Sequence, residues 1–126
     1  MTHASPLPPD SGLDPNAIER LRDLGGAALV SKVLRTFVVE TPQRHEAAHA
    51  ALGARDAAGL AAAMHGHASA AGWLGAEQML GLVRQGERLA REQDWGTLDG
   101  LMGPIDAAIA MALADAERCL SALGQA

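Results

Sequence analysis

Apolar residues recur every three to four positions along most of this chain, the spacing of one face of an α-helix. Ile18, Leu21 and Leu24 mark a short first helix that opens at Asp14-Pro15, an N-cap followed by proline at the first helical position, and stops at Gly25-Gly26. A second helix starts near Ala27 and carries Leu29, Val33, Leu34 and Phe37 on one side. Thr41-Pro42 interrupts it, yet His45, Ala48 and Leu52 continue in phase, so one kinked helix and two separate ones both fit. Asp56 is placed to cap a third helix over residues 57–73, with Leu60, Met64, His67, Ala71 and Leu74 on its seam and Gly75 closing it. Residues 76–92 read as a fourth, with Met79, Leu82, Val83, Leu89 and Ala90 as its apolar side. After the Asp94-Trp95-Gly96 connection, Thr97 is the expected cap of a fifth, whose stripe runs from Leu98 through Ile105, Ile109, Ala112 and Ala116 to Leu123, with a bend expected at Pro104.

Long amphipathic helices joined by connections of a few residues pack as antiparallel neighbours. The expected fold is all-α: an up-down-up-down four-helix bundle over residues 13–124, with a short additional N-terminal helix. Residues 1–12, with Pro6, Pro8, Pro9 and Gly12 and little to bury, read as a flexible tail.

Composition sharpens this picture. Of the 126 residues, 27 are alanine and 17 leucine, against 12 valine, isoleucine and threonine together and no tyrosine, a balance that favours helix and leaves little to pack in a sheet. Ten basic and 15 acidic residues give a net charge of −5, the wrong sign for gripping a phosphate backbone, and three aromatic residues offer little for base stacking, so no nucleic-acid partner is expected. No unbroken apolar run approaches the ~20 residues of a membrane span, and Met1–Asp10 is unlike a signal peptide, so no membrane partner is expected. Cys119 is alone, which excludes an intramolecular disulfide and suits a cytoplasmic location.

The chemistry concentrates in residues 63–76. His65, Ala68, Ser69 and Gly72 lie at helical spacings of three, four and seven and so share a face, a histidine with neighbours nearly stripped of side chains. Gly66 and Gly72 each weaken the helix relative to alanine, and an open face that another surface approaches closely is a reason to keep them.

This segment resembles the histidine-containing phosphotransfer (HPt) family, whose motif reads His, any residue, apolar, Lys, Gly, two small residues, two variable residues, then Leu-Gly. His65 takes the phospho-accepting place, Ala70-Ala71 the small positions and Leu74-Gly75 the close. Glu87 stands twenty-two residues after the histidine, where the family carries Glu or Gln on the next helix. Phe37, Pro42 and the apolar phase of positions 45, 48 and 52 also follow the family's second helix, so the resemblance spans residues 13–123. Two positions depart from it: Ala68 replaces the motif lysine and Ser69 the following glycine.

The resemblance implies that Nε2 of His65 accepts a phosphoryl group from an aspartyl-phosphate on a receiver domain and passes it to a response regulator, with Glu87 orienting the imidazole. Ser69 is a possible hydrogen-bond donor, and Arg84 and Arg91, one turn either side of Glu87, stand in for the missing lysine. Gly66, Ala68, Ser69, Gly72 and Trp73 form the expected partner face. The implied partners are receiver domains of response regulators and of hybrid sensor histidine kinases, with the chain acting as a free-standing monomer. No cofactor or metal is expected on it, the Mg²⁺ belonging to the receiver. It has no Gly-rich phosphate loop, so it is expected to be a phosphotransfer protein and not an autonomous kinase.

Two alternatives carry different chemistry. With the lysine lost, the same fold would serve as a receiver-docking module that is not phosphorylated. His45-Glu46-Ala47-Ala48-His49 matches the HExxH zinc motif, but Arg55 stands where the metzincin continuation needs a histidine, and the match is expected to be fortuitous. His45 and His67, both on seams, are read as hydrogen-bonded core residues without assigned function.

Overall fold

The computed structural model describes residues 12–124. The Asp14 carboxylate accepts from the Asn16 amide at 2.9 Å and opens α1 (Pro15–Gly53), with Pro15 in its first turn. Gly25 and Gly26 leave helical geometry inside α1. Gly26 adopts φ +71° and ψ −169°, a region essentially closed to residues with a Cβ, and this breaks α1 into a short arm over 15–24 and a main segment over 27–53. Past this break the helix runs unbroken through Pro42, so the open choice at Thr41-Pro42 resolves to one helix.

The next three helices are α2 (Ala57–Leu74), α3 (Glu77–Arg91) and α4 (Trp95–Gly124). Asp56 caps α2 by accepting from the Gly59 amide at 3.0 Å, as expected. The cap of α4 differs from expectation. Asp94 takes that role, accepting from the Thr97 amide at 3.3 Å and from its hydroxyl at 2.8 Å, so Thr97 lies inside the first turn. A carboxylate placed before the first turn satisfies the free N–H groups better than a hydroxyl three residues later.

Connections of two or three residues force each helix to return alongside its predecessor. The packed pairs are α1 with α2, α2 with α3, α3 with α4, and α4 back with α1, which closes an up-down-up-down four-helix bundle. Leu34, Leu60, Met64, Val83, Leu98, Ile105 and Ala116 are fully buried along its axis. By length and composition α4 is the one described helix able to cross a membrane, with mean hydropathy 1.3 over eighteen residues. In the bundle its apolar positions Leu98, Met102, Ile105 and Ile109 are buried against the other helices.

The arm of α1 lies against the α2–α3 turn. Asp14 donates its amide to the Leu74 carbonyl at 3.1 Å, and a Cβ on Gly75 would stand 2.4 Å from that of Asp14 and 3.0 Å from that of Ala17. Gly75 is also the left-handed cap of α2, at φ +63°, so one glycine serves both the turn and the close approach. Of the expected tail, residues 1–11 lie outside the described residues. Gly12 is held instead, its amide donating to Asp115 Oδ2 on α4 at 2.5 Å.

Candidate functional site

His65 stands on the outer face of α2 with its side chain 72% exposed. Its seam neighbours at positions 64, 67 and 71 are buried, so burial of that stripe turns the 65/69/72 face outward. Ser69 and Gly72 are exposed on the same face, Ala68 is partly buried beside it, and Trp73 is 59% exposed at its edge. Small residues around the imidazole leave it open to a second macromolecule.

From α3, Glu87 reaches back to the ring: His65 Nδ1 and Glu87 Oε1 are 3.3 Å apart. The other carboxylate oxygen, Oε2, accepts from Arg91 Nη2 at 2.7 Å and Nε at 3.2 Å, an i,i+4 pair at the end of α3. The Arg91 hydrogen bond is the main reason the Glu87 carboxyl titrates below its usual range. Burial opposes it, and His65 adds a smaller push the same way. Glu87 is therefore ionised near neutral pH and can only accept, which makes Nδ1 of His65 the donor. That tautomer leaves the lone pair on Nε2, which has no hydrogen-bond partner among the described residues.

The four residues expected around the acceptor do not all converge. Arg91 joins through Glu87. Arg84, exposed one turn earlier, makes no hydrogen bond or ion pair among the described residues and reaches neither Glu87 nor His65. Ser69 is exposed on the face of His65. Arg88, between them, pairs with Glu92 at 3.1 Å.

Sequence reasoning missed Arg44. This α1 residue lays its guanidinium on Gly66, where a Cβ would meet Arg44 Nε at 2.6 Å, and it makes a loose 3.7 Å pair with Glu40. The glycine next to His65 thus makes room for a cation from the neighbouring helix. Gly66 was the available signal, but only the α1–α2 packing shows which side chain it admits.

Beyond Trp73 the face continues into an apolar groove of about 360 Å³ between α2 and the broken part of α1. Leu21, Leu24, Val33, Phe37, Ala70 and Trp73 line it, with Lys32, Glu40 and Arg44 at the rim. Leu24, 74% exposed, and Trp73 are its projecting walls.

A four-helix bundle with an outward histidine on its second helix and a carboxylate on the third holding Nδ1 has the fold of the histidine-containing phosphotransfer domains. The solved structure that carries this assignment is that of histidine-containing phosphotransfer protein B (HptB) from Pseudomonas aeruginosa PAO1. The two superimpose with a TM-score of 0.81 over 93% of this chain and 98% of that one, at 21% sequence identity. No protein-family model matches the sequence, and no curated protein matches it.

Proposed function

We propose that this chain is a phosphorelay intermediate in two-component signalling, with His65 as its phospho-acceptor. The observation that carries the reading is the 3.3 Å contact of Glu87 with Nδ1, which leaves Nε2 as the nucleophilic nitrogen of an exposed ring. In the transfer, the Nε2 lone pair attacks the phosphorus of a receiver's aspartyl-phosphate. The N–P bond forms as the P–O bond to the aspartate breaks, and the aspartate leaves as a carboxylate. The proton on Nδ1 stays in its hydrogen bond to Glu87, whose charge offsets the positive ring as it develops. The reverse step hands the phosphoryl group to the aspartate of a second receiver, and Mg²⁺ on each receiver supplies phosphate charge neutralisation.

The fold likeness to an HPt protein supports interaction with receiver domains of response regulators or hybrid kinases. On this chain the docking face would be Ala68, Ser69, Gly72 and Trp73, with Arg44 covering the expected Gly66, extended by Leu24 across the groove. Two aromatic and aliphatic walls around small residues suit an apolar contact centred beside the acceptor. Arg44, laid over Gly66, and Arg91, bound to Glu87, would in this reading replace the cation that Ala68 lacks, since a phosphoryl group adds about −1.5 to −2 charges. The relay would act as a monomer in the cytoplasm.

The test is transfer from a phosphorylated receiver domain to the wild type and to His65→Gln, read by intact mass and by acid and alkali lability. An acid-labile, alkali-stable adduct that is absent from His65→Gln is the expected result. Stable receiver binding without any adduct would overturn the relay reading and leave a docking module.

A further inference from the structure

On the opposite side of α2 from the acceptor, the HExxH segment meets a partner that its sequence neighbourhood did not contain. His45 and His49, one turn apart on α1, both direct Nε2 at the same atom, Oδ1 of Asp106 on α4, at 2.5 and 2.8 Å. The three ligand atoms lie within 4.8 Å of one another. We propose that His45, His49 and Asp106 form a binding site for a divalent transition-metal ion, zinc by ligand chemistry, that ties α1 to α4.

Two imidazoles and one carboxylate are the donor set of three-ligand zinc sites, with a fourth position left to water. Metal–ligand bonds of about 2.0–2.1 Å place tetrahedral neighbours roughly 3.3 Å apart, so each histidine nitrogen must draw back from Asp106 Oδ1 by less than about 1 Å, while the two nitrogens, within 4.8 Å of each other, settle at that same spacing. The fourth position faces solvent, because the His49 and Asp106 side chains are 47% and 45% exposed while His45 is 15% exposed. An ion can therefore enter without opening the bundle.

The surroundings of His45 support the same assignment. Its other nitrogen, Nδ1, lies 3.3 Å from Nε2 of His67 on α2. Metal-ligating histidines pass their second N–H to such an acceptor, which fixes the ring and its tautomer. His67 is fully buried, so this contact fixes the His45 ring from the α2 side and leaves its Nε2 turned towards Asp106. Glu46, the would-be general base of a protease, is exposed and has no substrate cleft beside it among the described pockets, so the ion's role is to clamp two helices.

The test is calorimetric titration of the full chain with zinc chloride, together with the visible spectrum of the cobalt-loaded protein. Saturable 1:1 binding, tetrahedral cobalt bands and a rise in Tm with zinc are expected for the wild type. His49→Ala should abolish all three, and Asp106→Asn should weaken binding at least tenfold while keeping a hydrogen-bonding group. His49 is exposed and alanine favours helix, so circular dichroism should find that variant folded. His65→Gln should bind zinc as the wild type does, which separates this site from the acceptor. No binding by the wild type, or binding unchanged in His49→Ala, would overturn the proposal and leave the cluster an ion-paired helix contact.

Discussion

Glu87 holds Nδ1 of His65 across the α2–α3 interface at 3.3 Å while its second oxygen is held by Arg91 at 2.7 Å. A carboxylate fixed from behind in this way presents one oxygen in a set direction, and the imidazole takes its tautomer from it. The orientation of His65, the proposed nucleophile, thus depends on a residue that need not touch a partner.

Replacing that carboxylate should slow phosphotransfer. Glu87→Ala leaves His65 free to rotate and to exchange tautomers, and a rate loss of about tenfold is expected, the worth of one hydrogen bond to a charged group at a partly exposed position. Glu87→Gln, which keeps an acceptor oxygen, should lose less. Rapid-quench kinetics with a phosphorylated receiver checks both.

The arginines should separate by position. Arg44→Ala and Arg91→Ala are expected to shorten the phosphohistidine lifetime by about two- to fivefold, as for a solvent-screened charge contact, while Arg84→Ala leaves it unchanged. Gly66→Ala should reproduce the Arg44→Ala effect, because the added Cβ would stand 2.6 Å from Arg44 Nε and push the side chain away. Decay of the isolated phosphoprotein measured by mass spectrometry distinguishes the four variants.

Acid should destabilise the bundle through His67. Burial first, then the charges of His45 and Arg44, lowers its pKa from 6.5 to about 3. Between those values the unfolded chain binds a proton that the folded chain refuses, so stability falls as pH drops from about 6.5 towards 3. The slope from this group reaches up to about 1.4 kcal/mol per pH unit. His67→Leu, an apolar residue where the HPt motif has one, should remove this contribution. Urea unfolding midpoints from pH 7 to 4 give the comparison.

Two glycines are expected to resist substitution for different reasons. Gly26→Ala forces a Cβ into φ +71° with nothing nearby to collide with, so it should cost on the order of 1–3 kcal/mol of backbone strain. Gly75→Ala combines a left-handed φ with overlap against Asp14 and should cost more, loosening the arm of α1 from the α2–α3 turn. Equilibrium denaturation of the two variants orders these costs.

The period of apolar residues and the capping signals at Asp14-Pro15, Asp56 and Gly75 determined the helices, because these are local choices of backbone and solvent exposure. Short connections then left one arrangement of the bundle, and the spacing of His65, Ser69 and Gly72 determined a shared face. The distance from His65 to Glu87 along the chain suggested their pairing, but Arg84 and Arg91 looked equivalent from there. The side chains themselves decided between them: both arginines are exposed, but Arg91, one turn after Glu87, closes an i,i+4 pair with its carboxylate while Arg84 makes no ion pair among the described residues. The tertiary structure alone brought Arg44 onto Gly66 and Asp106 between His45 and His49. Those contacts join residues on different helices, and a side chain's partner across an interface depends on the rotation and rise of both helices, which no periodicity within one of them contains.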